Sequence, residues 1–245
     1  MRRIAIAIAP DWGVQERPQG DPAPLDRMIA ALKVAIGQTH PDVEPEIHPA
    51  PHLSEILGSA SDTLVCPLTL NVPPTLDFPG RDIYQTCADV AGLQTEVVRK
   101  WNYPIGEGNF WLPIVLTARG PLYGEAIATA SAATASATPA DLVFPPAATP
   151  GAAYLQPVHF PDARRQPLYA FAHQLLQELS APPATYLMQF GLLEDRLSFD
   201  RLWPFPATPA LASIGVQVPD LFACHWYCLT HRPILDLTIR DSLKA

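Results

Sequence analysis

The chain reads as an α/β (α+β) protein, with a small parallel α/β layer at its N-terminal end followed by an antiparallel sheet with packed helices. Three observations predict this. Strand-like and helix-like apolar patterns alternate through the first hundred residues, as they do in a parallel sheet covered by helices. From Gly108 onward the pattern changes to paired strand-like runs joined by turn residues. An apolar fraction of 48% against 16% charged residues supplies a packed core and excludes a disordered chain.

Each element follows in order. Residues 3–9 are β-like, and Leu25, Met28, Ile29, Leu32 and Ile36 then recur at helical spacing up to a stop near Gly37. Residues 63–68 read as a second buried strand. Ile83, Cys87, Val90, Val97 and Val98 form a second helical stripe that ends before Tyr103-Pro104. Residues 110–118 and 123–128 make a strand pair around Gly120-Pro121. The Ala/Ser/Thr/Pro tract 128–150 has no apolar periodicity and is expected to be an exposed or flexible loop. Residues 152–159 give another strand, and 165–179 a helix burying Leu168, Phe171, Ala172, Leu175, Leu176 and Leu179. Two further strands, a proline-rich loop and a last helix occupy 183–237. The expected division is 1–106 as an α/β domain and 107–245 as a second domain.

Composition narrows the function. A net charge of -8 argues against a nucleic-acid surface. No segment has the length to cross a membrane, and the apolar run after Arg3 is too short for a signal peptide, so a cytoplasmic protein is expected. Four scattered cysteines do not make a disulfide scaffold. The only lysines are Lys33, Lys100 and Lys244, few for a phosphate-binding enzyme. The turn Pro10-Asp11-Trp12-Gly13 lacks a dinucleotide fingerprint, and no GxSxG nucleophile motif occurs.

Four segments carry a resemblance: Met188-Gln189-Phe190-Gly191, Phe199-Asp200-Arg201, Trp203-Pro204-Phe205-Pro206-Ala207-Thr208-Pro209-Ala210, and 219–225. In order and type they resemble the closing strands (VEFF, then VNE), loop (APRPHNSGH) and helix (SQFEQH) of carboxyaminoimidazole-ribonucleotide synthetases. The pair at 112–116 and Gly124-Glu125-Ala126 resembles an earlier hairpin of that family. The resemblance implies a truncated ATP-grasp-like domain over 107–245, without most of a lysine-bearing nucleotide lobe. It also implies that the family's two magnesium-holding glutamates are replaced here by Gln189 and Arg201. An amide is a weak ligand for this hard cation and a guanidinium repels it.

Two readings follow. The first is a divergent, non-catalytic ATP-grasp-like protein without cofactor, an assembly or regulatory factor that binds a protein partner or a small anion. The alternative is a divergent ATP-dependent carboxylate ligase using ATP and magnesium. Gln189, Asp200 and Arg201 are the ligand-binding candidates. Asp200 with Arg201 serves either an anion, through arginine's bidentate fork, or the anchoring of the 203–209 loop. Trp203 and Phe205 are interaction candidates if exposed, and a plug if buried. Cys224, Cys228 and His231, beside His225, are weak metal candidates at helical spacing that match no usual zinc pattern.

Overall fold

The computed structural model describes residues 3–9, 23–57, 63–134, 141–145, 153–193 and 196–240. Two sheets organise them. In the first, β1 (Arg3–Ile8), β2 (Glu46–Pro49) and β3 (Thr63–Pro67) run parallel in the order β2-β1-β3. The central strand, RIAIAI, is buried from Ile4 to Ile8 because helices lie over it, which is why its apolar residues do not alternate with polar ones. Helix α1 (Pro24–Thr39) buries Met28, Ile29, Leu32 and Ile36 as its stripe predicts, and Ala35 with them. β2 and the short α2 (Ala50–Leu57) were not legible, since 37–62 carry too few periodic apolar residues to signal them.

The second helical stripe divides into α3 (Arg81–Ala88) and α4 (Val90–Trp101). Asp89 makes the break: it ends α3, and its carboxylate accepts the Gly92 N–H at 3.0 Å to cap α4. The stripe holds for Ile83, Cys87 and Val97, but after the break α4 buries Leu93 with Val97 and leaves Val98 exposed.

The second sheet is antiparallel, ordered β7-β6-β4-β8-β9, from β4 (Phe110–Thr117), β6 (Ala126–Thr129), β7 (Tyr154–Val158), β8 (Ala184–Leu193) and β9 (Arg196–Trp203). The short β5 (Gly120–Tyr123) folds back on the end of β4. The tract 128–150 is not simply a loop. Ala128 belongs to β6, a 3-10 turn follows at Ala132–Thr134, and Val143 bridges to His159. Small residues leave no apolar stripe, yet Ala132 and Leu142 are buried. Residues 135–140 and 146–152 lie outside the described residues, as does the turn 10–13.

The strand β8 alternates between two faces of this sheet. One carries Phe190, which packs with Phe110 and Phe160, while Phe199 meets Phe171 of α5 (Asp162–Glu178) at 5.8 Å. All four of Phe110, Phe171, Phe190 and Phe199 are buried, and burying such a side chain contributes about 1.5–3 kcal/mol. The other face carries Thr185, Leu187 and Gln189. Its Thr185 end is covered by α6 (Leu221–Leu229), whose Asp220 cap accepts the N–H groups of Phe222 and Ala223. From the opposite side α6 meets α1, where Trp226 Nε1 donates to Thr39 Oγ1 at 2.6 Å. The two sheets therefore share a helical layer, and the Gln189 end of the face is left open. Among the described residues no helix is long and apolar enough to cross a membrane.

Candidate functional site

The open end of that face is one side of a cleft of about 470 Å³. Its opposite wall consists of Ala9 and residues 68–70, which continue the carboxyl ends of β1 and β3. Ligands of open parallel sheets bind outside those ends, and the volume falls within the ordinary range for small-molecule sites.

Three strands contribute a single cross-sheet row to the cleft. Trp111 of β4 pairs with Gln189 of β8, and Gln189 pairs with Arg201 of β9. A one-residue irregularity in β9 makes this row possible. Phe190 pairs with Phe199, whereas Gln189 pairs with Arg201, so Asp200 is the extra residue of a β-bulge. Strict alternation would put Phe199 and Arg201 on one face. The bulge instead keeps Phe199 in the aromatic core and turns Arg201 to the cleft.

The extra residue has its own task. Asp200 is buried, and its Oδ2 accepts the Gly108 N–H at 2.9 Å while Oδ1 accepts Arg201 Nε at 3.1 Å. Gln189 holds the other side of the same peptide unit's residue, donating from Nε2 to the Gly108 carbonyl at 2.7 Å. Gly108 lies so close that a Cβ there would stand 2.6 Å from the Phe190 carbonyl oxygen. Asp200 is thus an anchor, but for the 106–109 segment and not for the 203–209 loop. The three ligand-binding candidates divide accordingly: Asp200 and Gln189 fasten backbone, and Arg201 faces the cleft.

Arg201 is the sole charged residue among those lining the cleft. Beyond its Nε bond to Asp200, its terminal nitrogens make no hydrogen bond among the described residues, and its guanidinium carbon lies 5.8 Å from the Trp203 ring centre. Trp111, which the sequence did not single out, adds a second donor: its Nε1–H is buried without an acceptor. Trp111 meets Tyr154 edge-on at 5.3 Å. A Trp inside a strand reads as core, and only the cross-strand register reveals that it stands beside Gln189. Among the described residues the lining holds one cation, paired at Nε with Asp200 but unbonded at its terminal nitrogens, a buried unpaired indole N–H and no acidic side chain, a balance that favours an anion.

Trp203 lines this cleft half-buried, and its Nε1 reaches Gln189 Oε1 at 3.4 Å. Phe205 is buried and stacks on Tyr84 at 5.9 Å, so it plugs the junction between the layers and offers no exposed contact. Cys224 and Cys228 are buried on α6, where burial pushes the Cys228 thiol up to about 12 and Cys224 well above its ordinary value. That opposes the thiolate a metal requires. His231 lies beyond the helix, exposed, at φ 56°. Among the described residues no group of three or more His, Cys, Asp or Glu side chains is placed to hold a metal ion.

Magnesium, which the resemblance implies, does not fit this row. Gln189 is engaged through both ends of its amide, Arg201 is cationic, and both Asp200 oxygens already accept hydrogen bonds. The two described lysines are also elsewhere: Lys33 pairs with Glu44, and Lys100 with Glu178.

No protein-family model matches the chain, and no curated protein matches it in sequence. Solved structures do match in fold. N5-carboxyaminoimidazole ribonucleotide synthetase from Thermotoga maritima superposes with a TM-score of 0.65 at 10% identity, over 96% of this chain and 77% of that one. N5-carboxyaminoimidazole synthase from Aspergillus clavatus, in complex with ADP and 5-aminoimidazole ribonucleotide, gives 0.60 at 11% identity over 96% and 78%. An L-amino acid ligase from Bacillus licheniformis gives 0.58 at 7% over 94% and 75%. The parallel layer joined to a larger antiparallel sheet is the ATP-grasp fold, and this chain has it.

Proposed function

We propose that the protein is a divergent ATP-dependent ligase of the ATP-grasp type that takes a small carboxylic or phosphorylated acid in the cleft beside Arg201. The observation that carries the reading is the Trp111–Gln189–Arg201 row, an anion-favouring surface set at the carboxyl ends of β1 and β3 in a fold matched along nearly the whole chain by ligases. Arg201 supplies a two-pronged donor for the acid through its terminal nitrogens, beside Trp111, whose buried Nε1–H has no acceptor among the described residues. ATP would supply the energy for joining the acid to its acceptor. The chain's own contribution is to bind and orient that acid.

A second reading is favoured by one observation, the absence of a magnesium-compatible carboxylate in the row. On it the same cleft holds its anion without turnover, and the protein acts as an assembly or regulatory factor. Release of ADP from ATP, followed across a panel of carboxylic acids and amines with and without magnesium, separates the two. Acid-dependent ADP release supports the ligase. Tight anion binding with no ADP release under any combination supports the second reading, and neither result would refute both.

A further inference from the structure

A second recess, of about 160 Å³, lies between the edge of β3, the start of α3 and α6, and adjoins the cleft where its Tyr84 stacks on the cleft's Phe205. Its walls are largely apolar, with Val65, Phe78, Tyr186 and Cys228 among them, and it includes one fully buried imidazole, that of His225. The tautomer of His225 is fixed by a neighbour. Its Nδ1 accepts the backbone N–H of Thr185 at 3.2 Å, so in the neutral ring the proton sits on Nε2. Burial pushes the imidazole down to about 3, which keeps the ring neutral at physiological pH. Among the described residues the Nε2–H so defined has no acceptor, and Thr63 Oγ1, of another residue in the lining, is likewise buried without a partner.

We propose that this recess is a binding site for a small, neutral, mostly apolar molecule bearing one acceptor oxygen, such as a cyclic ketone, which His225 Nε2–H holds by a hydrogen bond. The size fits: an engineered apolar cavity of about 150 Å³ admits benzene. The polarity fits as well, because buried polar groups in folded proteins are overwhelmingly partnered, and each exception calls for a missing partner. A neutral donor in apolar walls selects against the anions that the Arg201 cleft favours. The two sites therefore differ in the chemistry they select, although Tyr84 and Phe205 join their walls.

Imidazole ¹⁵N–¹H correlation spectra of the full chain, titrated with cyclohexanone and in parallel with cyclohexane, test the proposal. Cyclohexanone is expected to move the His225 Nε2–H resonance in a saturable way and at least tenfold more tightly than cyclohexane. Cys228→Phe, which fills the recess and leaves His225 in place, is expected to abolish the shift. A shift that never saturates, one that persists in Cys228→Phe, or a long-lived water at Nε2–H that saturating cyclohexanone fails to displace would each overturn it.

Discussion

The two faces of the antiparallel sheet come from the same three strands, yet they do opposite things. On one, Phe110, Phe190 and Phe199 pack with Phe160 and Phe171 into an aromatic layer. On the other, one residue along each strand, Trp111, Gln189 and Arg201 line an open cleft, with the terminal nitrogens of Arg201 as its unbonded donors. The separation depends on Asp200. As a bulge it absorbs the residue that would otherwise leave an arginine among phenylalanines, and its carboxylate then fastens Gly108 across the strand. One face stabilises the fold; the other is free to recognise a ligand.

The difference can be broken at decreasing cost. Phe190→Ala opens the middle of the aromatic layer and is expected to lose about 3–5 kcal/mol in urea denaturation. Gly108→Ala is the next largest, toward the upper end of about 1–3 kcal/mol, because its Cβ would press on backbone and not on a side chain that can move. Asp200→Ala leaves the Gly108 N–H buried without an acceptor, a loss of about 1–2 kcal/mol in the same assay. Arg201→Gln should cost least, about 0.5–1 kcal/mol, since the side chain is 38% exposed and loses only its Nε ion pair with Asp200. If Arg201→Gln were instead as costly as Phe190→Ala, the cleft face would be structural and the contrast between the faces would fail.

Much of this was legible in the sequence, and what was missed shares a cause. The change from alternating elements to strand pairs at Gly108 is where the second sheet begins, and the stripes of α1 and α5 bury the residues their spacing selects except Leu25 and Leu179 at their ends, which are half-buried. The segments at 188–191, 199–201 and 219–225 correctly indicated the ATP-grasp fold. Features set by pairing partners were not visible. Trp111 gained its place from its register with Gln189, Arg201 gained its face from a bulge, and Phe205 proved to be a plug because Tyr84, far away in sequence, stacks on it. The sequence shows an amide and a guanidinium at 189 and 201, but not their engagement with Gly108 and Asp200. Local periodicity reports which residues are apolar; cross-strand register decides what the polar ones face.

The most direct test is calorimetric titration of small acids, succinate and inorganic phosphate, into the wild-type protein and into Arg201→Gln, each with and without magnesium. The cleft as an anion site predicts measurable binding to the wild type and at least tenfold weaker binding to Arg201→Gln in both conditions. Equal affinity in the two proteins, or no binding to the wild type, would contradict it.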